Sequence, residues 1–278
     1  MSIHRAFVPG DPLPWHYKYE HMSVTTDCVV FTYEEGKLKV LLVQRGGEPY
    51  KGMWAFPGGF LNMDENAEQG ALRELREETG LKPSAIGQLG VFSDVDRDPR
   101  ERTITIAWYA LVKPSRVVGG DDAAMAAWFP IDGLPPLAFD HRKIFEAAMD
   151  RLRRDIHFQP VGFDLLDEEF TIPDLQRLYE AILGVKFDRR NFQRKILSSG
   201  ILEEAPVYEN SPYESEMDCM TASPMAIPEE YEDISSPKVA LEEGSIKKKS
   251  RPGRKGLWFS LNRKRYKELK EDGLKQEF

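Results

Sequence analysis

The sequence predicts an α+β fold for the first part of the chain and a small helical module for the second part. Two pairs of alternating, β-branched segments surround one strong helix within the first 157 of the 278 residues. From residue 162 onward, two short capped helices precede two short strands. Strands around interposed helices are typical of one layered α+β domain, and the length leaves room for a second domain. We therefore predict domains at 1–157 and 158–278.

Alternation of apolar and polar residues predicts two antiparallel strand pairs. The first pair joins Thr25–Thr32 to Leu38–Gln44 through a turn at Glu34–Gly36. The second pair joins Gly87–Asp94 to Thr103–Val112 across a loop rich in charged residues. These four strands supply the predicted sheet.

Caps and helical periodicity predict four helices. Between the strand pairs lies Ala67–Thr79, and Asp140 is placed to cap a helix at His141–Arg153. In the second domain, Thr171 opens a capping box for a helix that ends at Gly184, and a second helix covers 189–199. Short strands are expected at 201–202 and 256–261.

Composition excludes several classes of protein. Apolar residues at 41%, charged residues at 30% and a mean hydropathy of -0.48 argue against a membrane protein. The two cysteines, Cys28 and Cys219, lie too far apart in sequence to form a metal motif and are too few for a disulfide framework. We expect a cytoplasmic protein that makes no membrane contact.

The net charge of -8 conceals two opposite blocks in the second domain. Residues 203–243 hold twelve acidic side chains and one lysine, and residues 247–270 hold eleven basic side chains and one glutamate. Prolines recur through 203–255, so we predict a disordered insertion there. The concentrated basic block indicates a local contact with a polyanion.

Three carboxylates share one face of the helix at 67–79. At about 100° per residue, Glu74, Glu77 and Glu78 fall within an arc of about 100°. Like charges at this spacing repel, so we expect a bound cation to compensate them. Carboxylate oxygens favour Mg²⁺ or Mn²⁺, and Arg73 can orient one of the carboxylates.

The segment 59–81 matches every defined position of the Nudix box, G-x5-E-x7-R-E-U-x-E-E-x-G-U, where U is aliphatic. The first domain therefore resembles the Nudix hydrolase superfamily. This resemblance implies an α/β/α sandwich with a mixed sheet and hydrolysis of a phosphoanhydride bond. The implied ligand is a nucleoside diphosphate joined to another group, such as ADP-ribose or a nucleotide sugar. Implied metal ligands are Glu74, Glu77, Glu78 and Gly59, with Glu65 and Arg73 as supporting charges in the catalytic site.

Arginines near the predicted site are candidates for contacts with phosphate or ribose. Arg45 ends the second strand, and three more arginines lie on the loop of the second strand pair. Guanidinium groups bind phosphate in a bidentate manner. The predicted substrate-binding residues are Arg45, Arg97, Arg100 and Arg102.

Two helices followed by a strand, a basic loop and a returning strand form a winged helix-turn-helix pattern. The second helix presents side chains that reach phosphates and base edges, and the basic loop suits a minor groove. The predicted DNA-binding residues are Arg189, Arg190, Gln193, Arg194, Lys195, Arg251 and Arg254. This half resembles the DNA-binding half of Nudix-related transcriptional regulators of NAD metabolism and their sugar-responsive relatives. Double-stranded DNA and a second copy of the chain, in a homodimer, are the implied partners.

Three functions remain open at this point. The favoured one is a Nudix domain that binds and hydrolyses its ligand and is fused to a DNA-binding regulator module. One alternative is a regulator whose ligand site only senses. The other is a housekeeping pyrophosphatase whose second domain serves oligomerisation. The intact carboxylate set argues against a pure sensor.

Overall fold

The computed structural model describes residues 19–117, 119, 123–156, 161–205 and 257–271. Described residues up to Ala205, together with those from Trp258 onward, form one compact unit. Arg251, Arg254 and most of the predicted insertion lie outside the described residues. Within the described ranges, no helix has both the length and the apolar composition that crossing a membrane requires.

Within the described residues, seven strands form a mixed sheet, and one long strand lies at its centre. This strand, β1 (Ser23–Glu34), lies antiparallel to β2 (Lys37–Arg45) and parallel to β6 (Thr103–Leu111). At the far side, β5 (Gly87–Phe92) pairs antiparallel with β6, and β7 (Ala123–Pro130) pairs antiparallel with β2. Both predicted strand pairs are confirmed, as is the α+β fold.

Two very short strands fold the loop before the first helix onto the sheet. β3 (Trp54–Ala55) pairs with β2, and β4 (Gly58–Phe60) pairs with β1. In the second pairing, Gly58 lies opposite Asp27. The sequence did not predict these strands because glycine and proline have low strand propensity.

Helix α1 (Ala67–Thr79) begins and ends as predicted. Asn66 and Gln69 form a reciprocal capping box, and Gly80 ends the helix in the left-handed conformation with φ 75°. Helix α2 (His141–Asp155) follows Asp140, but the Asp140 side chain makes no capping hydrogen bond. That predicted cap is wrong because Arg97 binds the Asp140 carboxylate instead, at 2.8 and 3.1 Å.

Residues along β1 alternate between two apolar clusters, one on each face of the sheet. Val29 and Phe31 belong to a cluster that continues through α2 into the C-terminal module. Cys28 and Val30 belong to a second cluster, which packs against Leu75 of α1. Helices therefore cover both faces, and this arrangement is the α/β/α sandwich that the sequence predicted.

The C-terminal module contains a helix-turn-helix. After a 3₁₀ helix at Val161–Leu165, α3 (Ile172–Leu183) starts from a Thr171–Asp174 capping box and ends at Gly184. Helix α4 (Arg189–Ser198) starts where Asp188 accepts a hydrogen bond from the N–H of Asn191. Both helix starts are confirmed.

Two strands and a further helix complete the module. β8 (Leu202–Glu204) pairs antiparallel with β9 (Phe259–Leu261), and α5 (Arg263–Glu271) follows. The predicted insertion at 203–255 therefore starts too early, because Glu203 and Glu204 pair with Ser260 and Phe259. Helix α5 was not predicted, since its residues were taken as part of the basic block.

Candidate catalytic and DNA-binding sites

Two glycines of β4 bring the backbone against the carboxylates of α1. A Cβ atom on Gly59 would overlap the carboxylate of Glu74, and one on Gly58 would overlap the carbonyl oxygen of Thr26. Neither position accepts a side chain unless its neighbours move. The N–H of Gly58 donates to Oε2 of Glu78 at 2.9 Å, which fixes that carboxylate beside the strand.

Arg73 connects three carboxylates through one guanidinium group. Its Nε and Nη2 donate to the two oxygens of Glu65 at 2.9 and 2.6 Å. Its Nη1 donates to Glu74 at 2.7 Å and to Glu77 at 3.1 Å. Nη2 also donates to the carbonyl oxygen of Phe60 at 3.0 Å, so the network ties α1 to β4.

The network separates the proton affinities of its carboxylates. The hydrogen bonds from Arg73 hold the pKa of Glu65 below its usual value. Burial raises the pKa of Glu74 despite its hydrogen bond to Arg73. Neighbouring carboxylates whose environments push their pKa values apart are typical of sites that move protons.

A second charged cluster lies buried between β1 and α2. Asp27 accepts a hydrogen bond from the Thr105 hydroxyl at 2.6 Å and lies 3.7 Å from Nη2 of Arg97. His141 Nε2 lies 3.6 Å from Asp27, while its Nδ1 accepts a hydrogen bond from the N–H of Phe56 at 2.9 Å. Burial lowers the pKa of His141, so the neutral imidazole is favoured.

Arg45 and Arg100 lie over one aromatic ring. Their guanidinium carbons are 4.7 and 5.8 Å from the centre of the Phe139 ring. Arg100 is held by Asp98, and its guanidinium also lies 5.4 Å from the ring centre of Phe60. This group adjoins β4 and therefore the carboxylate helix.

One carboxylate sets the turn of the helix-turn-helix. Glu180 of α3 accepts hydrogen bonds from the N–H of Phe187 at 3.0 Å, from Gln176 at 2.9 Å and from Lys186 at 2.8 Å. The rings of Phe187 and Phe192 pack 5.5 Å apart and form a hydrophobic staple at the start of α4. The angle between α3 and α4 is therefore fixed by both polar and apolar contacts.

The outer face of α4 carries long polar side chains. Phe192 and Ile196 are 2% and 1% exposed and hold the helix against α3. Every predicted DNA-contacting residue of this helix is exposed: Arg189, Arg190, Gln193, Arg194 and Lys195. Helix α5 adds further exposed cations at Arg263, Lys264, Arg265 and Lys267.

Comparison with known proteins finds a match for each of the two regions of the chain. A family model described as NUDIX domain matches residues 22–148, and one described as NrtR DNA-binding winged helix domain matches residues 162–212. A relative from Acinetobacter baylyi, named ADPR responsive transcriptional repressor NtrR, is 31% identical over 191 residues, which cover 67% of this chain and 76% of the relative. The chain belongs to the Nudix family.

Two further relatives match different lengths of this Nudix protein. ADP-ribose pyrophosphatase from Methanocaldococcus jannaschii is 42% identical over 131 residues, which cover 47% of this chain and 75% of that protein. The crystal structure of Shewanella oneidensis NrtR complexed with a 27mer DNA superposes with a TM-score of 0.59 at 34% identity, covering 69% of this chain and 90% of that chain.

The sequence predicts that the three glutamates of the Nudix box bind one metal ion, but the structure arranges their carboxylates differently. Among the described residues, no three His, Cys, Asp or Glu side chains converge on a point that would hold a metal ion. Glu74 and Glu77 turn toward Arg73, and Glu78 turns toward Gly58. Repulsion among the three glutamates, for which the sequence analysis expects a bound cation, is thus relieved in part by Arg73 within the chain.

The donor set nevertheless fits a hard divalent ion. The carboxylates of Glu74, Glu77 and Glu78 are oxygen donors, and the backbone of Gly59 lies directly against Glu74 because the glycine leaves no side chain between them. A side chain at residue 59 would occupy this space. The residues therefore suit Mg²⁺ or Mn²⁺ once Glu74 and Glu77 turn away from Arg73.

All four predicted substrate arginines form hydrogen bonds within the chain, but Arg97 alone among them is buried. The Arg97 side chain is 4% exposed and forms a bidentate pair with Asp140, so it is not presented on a loop surface. Arg102 donates to the carbonyl oxygens of Ser93 and Asp94 at 2.9 and 3.1 Å, which holds its loop. We correct the Arg97 assignment to a structural role, and Arg102 remains a predicted substrate-binding residue.

The sequence interpretation missed Asp27, Phe139 and Tyr50. An aspartate inside the apolar strand around Cys28–Phe31 is a visible signal, because burying a carboxylate is costly without partners. No comparable signal marks Phe139 and Tyr50, since their contact joins two loops that are distant in sequence.

Proposed function

We propose that this chain is a metabolite-responsive transcriptional regulator with a Nudix ligand site. The Nudix domain binds an ADP-ribose-like nucleoside-diphosphate metabolite and hydrolyses its pyrophosphate bond with Mg²⁺ or Mn²⁺. The winged helix binds double-stranded DNA as part of a homodimer. We keep the division into domains 1–157 and 158–278 as part of this proposal. One observation carries it: a single helix, α2, contacts Phe56 in the Nudix domain at one end and packs against helix α3 of the helix-turn-helix at the other.

Helix α2 begins beside the Nudix site. His141 in its first turn accepts the hydrogen bond from Phe56, and Asp140 just before it is paired with Arg97. Arg97 in turn lies close to Asp27, opposite Gly58. A ligand that moves β4 therefore acts on groups that hold the start of α2.

The other end of α2 packs against the helix-turn-helix. Arg153 donates to the carbonyl oxygen of Ile182 in α3 at 3.3 Å. Leu152 and Leu178 are fully buried in the same apolar cluster. A displacement of α2 would reach α3 and then α4, because packed helices move as units rather than deform continuously.

The names of the relatives support the choice of ligand. The Acinetobacter baylyi protein is named as responsive to ADPR, and the Methanocaldococcus jannaschii protein is named as an ADP-ribose pyrophosphatase. One relative is named for regulation and the other for hydrolysis. A diphosphate with a nucleoside on one side is the chemistry that both names share.

Within the proposed reaction, Glu74, Glu77, Glu78 and the Gly59 carbonyl would hold the metal. When bound, Mg²⁺ or Mn²⁺ supplies positive charge that offsets the charge of the diphosphate. Arg73 positions Glu65 and Glu74 through its hydrogen bonds. Arg45 and Arg100 would contact the phosphates.

In the proposed DNA complex, α4 lies in the major groove. Arg189, Arg190, Gln193, Arg194 and Lys195 would reach phosphates and base edges, and Arg251 and Arg254 would contact the adjacent minor groove. The N-terminus of α4 favours phosphate because its dipole is positive there.

Turnover of ADP-ribose tests the Nudix half. The full chain is incubated with Mg²⁺ and ADP-ribose, and products are separated by chromatography. We expect the Glu78→Gln variant to lose turnover and the Glu68→Gln variant to keep it, because Glu68 is exposed on the same helix. Equal turnover in both variants would remove Glu78 from the proposed metal set.

A gel shift with the DNA upstream of the protein's own gene tests the regulatory half. We expect Arg190→Ala and Arg194→Ala to weaken binding, and Arg142→Ala on the exposed face of α2 to leave it unchanged. Added ADP-ribose should release the DNA. Salt-sensitive binding that survives both α4 substitutions would show that α4 is not the recognition helix.

A regulator that senses without hydrolysis is the second candidate. The observation in its favour is that Arg73 binds two of the three carboxylates that the metal would need. The turnover assay separates the candidates, since a sensor binds ADP-ribose without forming products.

A further inference from the structure

Helix α5 concentrates positive charge directly after the second strand of the winged helix. Four of its first five residues are basic and exposed: Arg263, Lys264, Arg265 and Lys267. No acidic residue lies in its first turn. The helix forms the last part of the basic block that the sequence shows at 247–270, and the proposed contacts of α4 with DNA do not involve it.

This arrangement of charge is unfavourable for an isolated helix. Basic side chains in the first turn oppose the helix dipole, because the positive end of the dipole lies there. Lys267 is also placed three and four positions after Lys264 and Arg263, so these like charges repel along the helix surface. Glu268 offsets part of the charge through its 3.1 Å contact with Arg265. A bound polyanion removes both costs, and a locally unfavourable pattern is typical of a functional surface.

Tyr266 determines which face of α5 turns toward the protein. It is partly buried, and burial raises its pKa. At about 100° per residue, Lys264 points about 160° away from Tyr266 and Lys267 about 100° away. Neither lysine forms an ion pair or hydrogen bond with another residue in the described part of the chain. Both ammonium groups are therefore available to a ligand from outside.

The start of α5 lies against the end of α4. Asn262 precedes α5 and donates its N–H to the carbonyl oxygen of Ile201 at 2.8 Å, while its side chain accepts the N–H of Arg265 at 2.8 Å. Nε of Arg265 lies 4.0 Å from the position that a Cβ atom on Gly200 would take. Gly200 and Ile201 come directly after the last turn of α4. The cations of α5 therefore extend the basic surface of α4 beyond its C-terminal end.

We propose that α5 is a second DNA-binding element, in which Lys264 and Lys267 bind backbone phosphates beside the major groove that α4 enters. This inference rests on the proposed function, because it requires that α4 binds DNA. Double-stranded DNA fits the surface because its charge is complementary and because α5 is continuous with the DNA-binding face of α4. Lysine binds phosphate as a point charge and reads no base there, so α5 adds affinity without sequence preference.

The salt dependence of DNA binding by the full chain tests the proposal. Fluorescence anisotropy is measured from 50 to 200 mM salt, with a labelled duplex from upstream of the protein's own gene and with an unrelated duplex of equal length. We expect the double variant Lys264→Gln/Lys267→Gln to reduce the slope of log affinity against log salt by about 1.8, since each phosphate contact contributes about 0.9. The affinity advantage of the wild type should then fall about tenfold across this range of salt. Both duplexes should show the same change, because phosphates carry no sequence.

Two control variants separate a local contact from a general effect of charge. Lys37→Gln/Lys51→Gln removes the same charge from exposed residues of the Nudix domain and should leave the slope unchanged. Lys264→Arg/Lys267→Arg keeps both charges on α5 and should also keep the slope. Light scattering compares the assembly state of each variant with that of the wild type. A double glutamine variant that no longer assembles as the wild type does would show that α5 acts through contact between copies, which overturns the proposal.

The remaining outcomes distinguish this inference from the proposed function. If Arg190→Ala and Arg194→Ala weaken DNA binding but the glutamine variant of α5 keeps the wild-type slope, the inference fails while the proposed function stands. A loss confined to the upstream duplex would show that α5 reads bases, which also contradicts binding to phosphates alone. If the wild type binds neither duplex, both the inference and the DNA-binding half of the proposed function fail.

Discussion

Charged side chains on α1 and α4 have different partners. On α1, Arg73 is 21% exposed and engages Glu65, Glu74 and Glu77 within the chain. On α4, Arg194 is exposed and its hydrogen bond goes to the neighbouring Asn191 in the same helix. The first helix is built into a network that spans β4, whereas the second presents side chains outward from an apolar anchor.

This difference separates two ways of recognising phosphate. The α1 site must hold carboxylates at fixed positions against a small ligand, so its charges are already ordered by internal hydrogen bonds. A DNA-binding face gains its affinity from cations that replace condensed counterions, and such cations need few internal partners. Substitutions within the Arg73 network of α1 should therefore affect stability, and substitutions on the outer face of α4 should affect DNA binding alone.

The largest effect on stability is expected from Arg73→Met. Removing the guanidinium leaves Glu65 and Glu74 close together and largely buried, which should lower the free energy of unfolding by about 3–5 kcal/mol. Urea denaturation measures this change. Arg76→Met is the matched control on the same helix, because its side chain is 56% exposed and lies 3.9 Å from Glu77. This variant should lower the free energy of unfolding by no more than about 0.5 kcal/mol. Equal losses in the two variants would show that the Arg73 network does not stabilise the fold.

Glu180→Gln should cause the next largest loss of stability. Glu180 joins several groups of the helix-turn-helix through one side chain, as Arg73 does in the Nudix box. Its carboxylate accepts hydrogen bonds from Lys186, Phe187 and Gln176. Loss of these charge-assisted bonds should cost about 1.5–3 kcal/mol, measured by urea denaturation at pH 7. Glu146→Gln is the control, because the Glu146 side chain is 60% exposed.

Acid should remove the stabilisation of the folded state that the Glu180 carboxylate provides. Burial alone would raise the pKa of Glu180, but the hydrogen bonds from Lys186 and the Phe187 N–H outweigh it and lower the pKa from 4.5 to about 2. A depressed pKa stabilises the folded state above pH 4.5, and this contribution disappears as the pH falls toward 2. The stability gap between wild type and Glu180→Gln should shrink over that interval. A gap that stays constant would show that the carboxylate charge is not responsible.

The same contrast explains what the sequence could predict. Local patterns gave α1, α3 and α4 with their caps, because a cap depends on residues within one turn. They also gave the three glutamates on one face of α1. The partners of those glutamates depend on which of several nearby cations folds against them, and Arg73 was expected to pair with one carboxylate rather than three.

Elements that depend on tertiary pairing were missed. β4 contains two glycines and forms only because β2 leaves the first part of β1 unpaired, so that β4 can pair there. β7 is rich in alanine, which has no strong strand preference. The predicted Asp140 cap is wrong for the same reason. The competing Arg97 is 43 residues away in sequence, so no local pattern predicts their pairing.

Substitutions in the two capping boxes should lower the stability less than those above, and by different amounts in the two regions of the molecule. Thr171→Ala should cost about 1–2 kcal/mol, because Thr171 is half-buried and its hydroxyl also donates to Asp174 at 2.6 Å. Asn66→Ala should cost about 0.5–1 kcal/mol, because Asn66 is exposed and water can replace its bond to the N–H of Gln69. Thermal denaturation of the two variants under identical conditions ranks them, and a reversed order would contradict this argument.

The smallest effect on stability is expected from Arg190→Ala and Arg194→Ala, each within about 0.5 kcal/mol of the wild type in urea denaturation. Their effect should appear in DNA binding instead. An arginine that contacts a phosphate replaces about one condensed counterion, so each variant should reduce the slope of log affinity against log salt by about 1. Fluorescence anisotropy with a labelled duplex at several salt concentrations measures that slope. A loss of stability with an unchanged slope would mean that α4 contributes to the fold as α1 does, and that the DNA-binding cations lie elsewhere, with the exposed basic face of α5 as the first place to look.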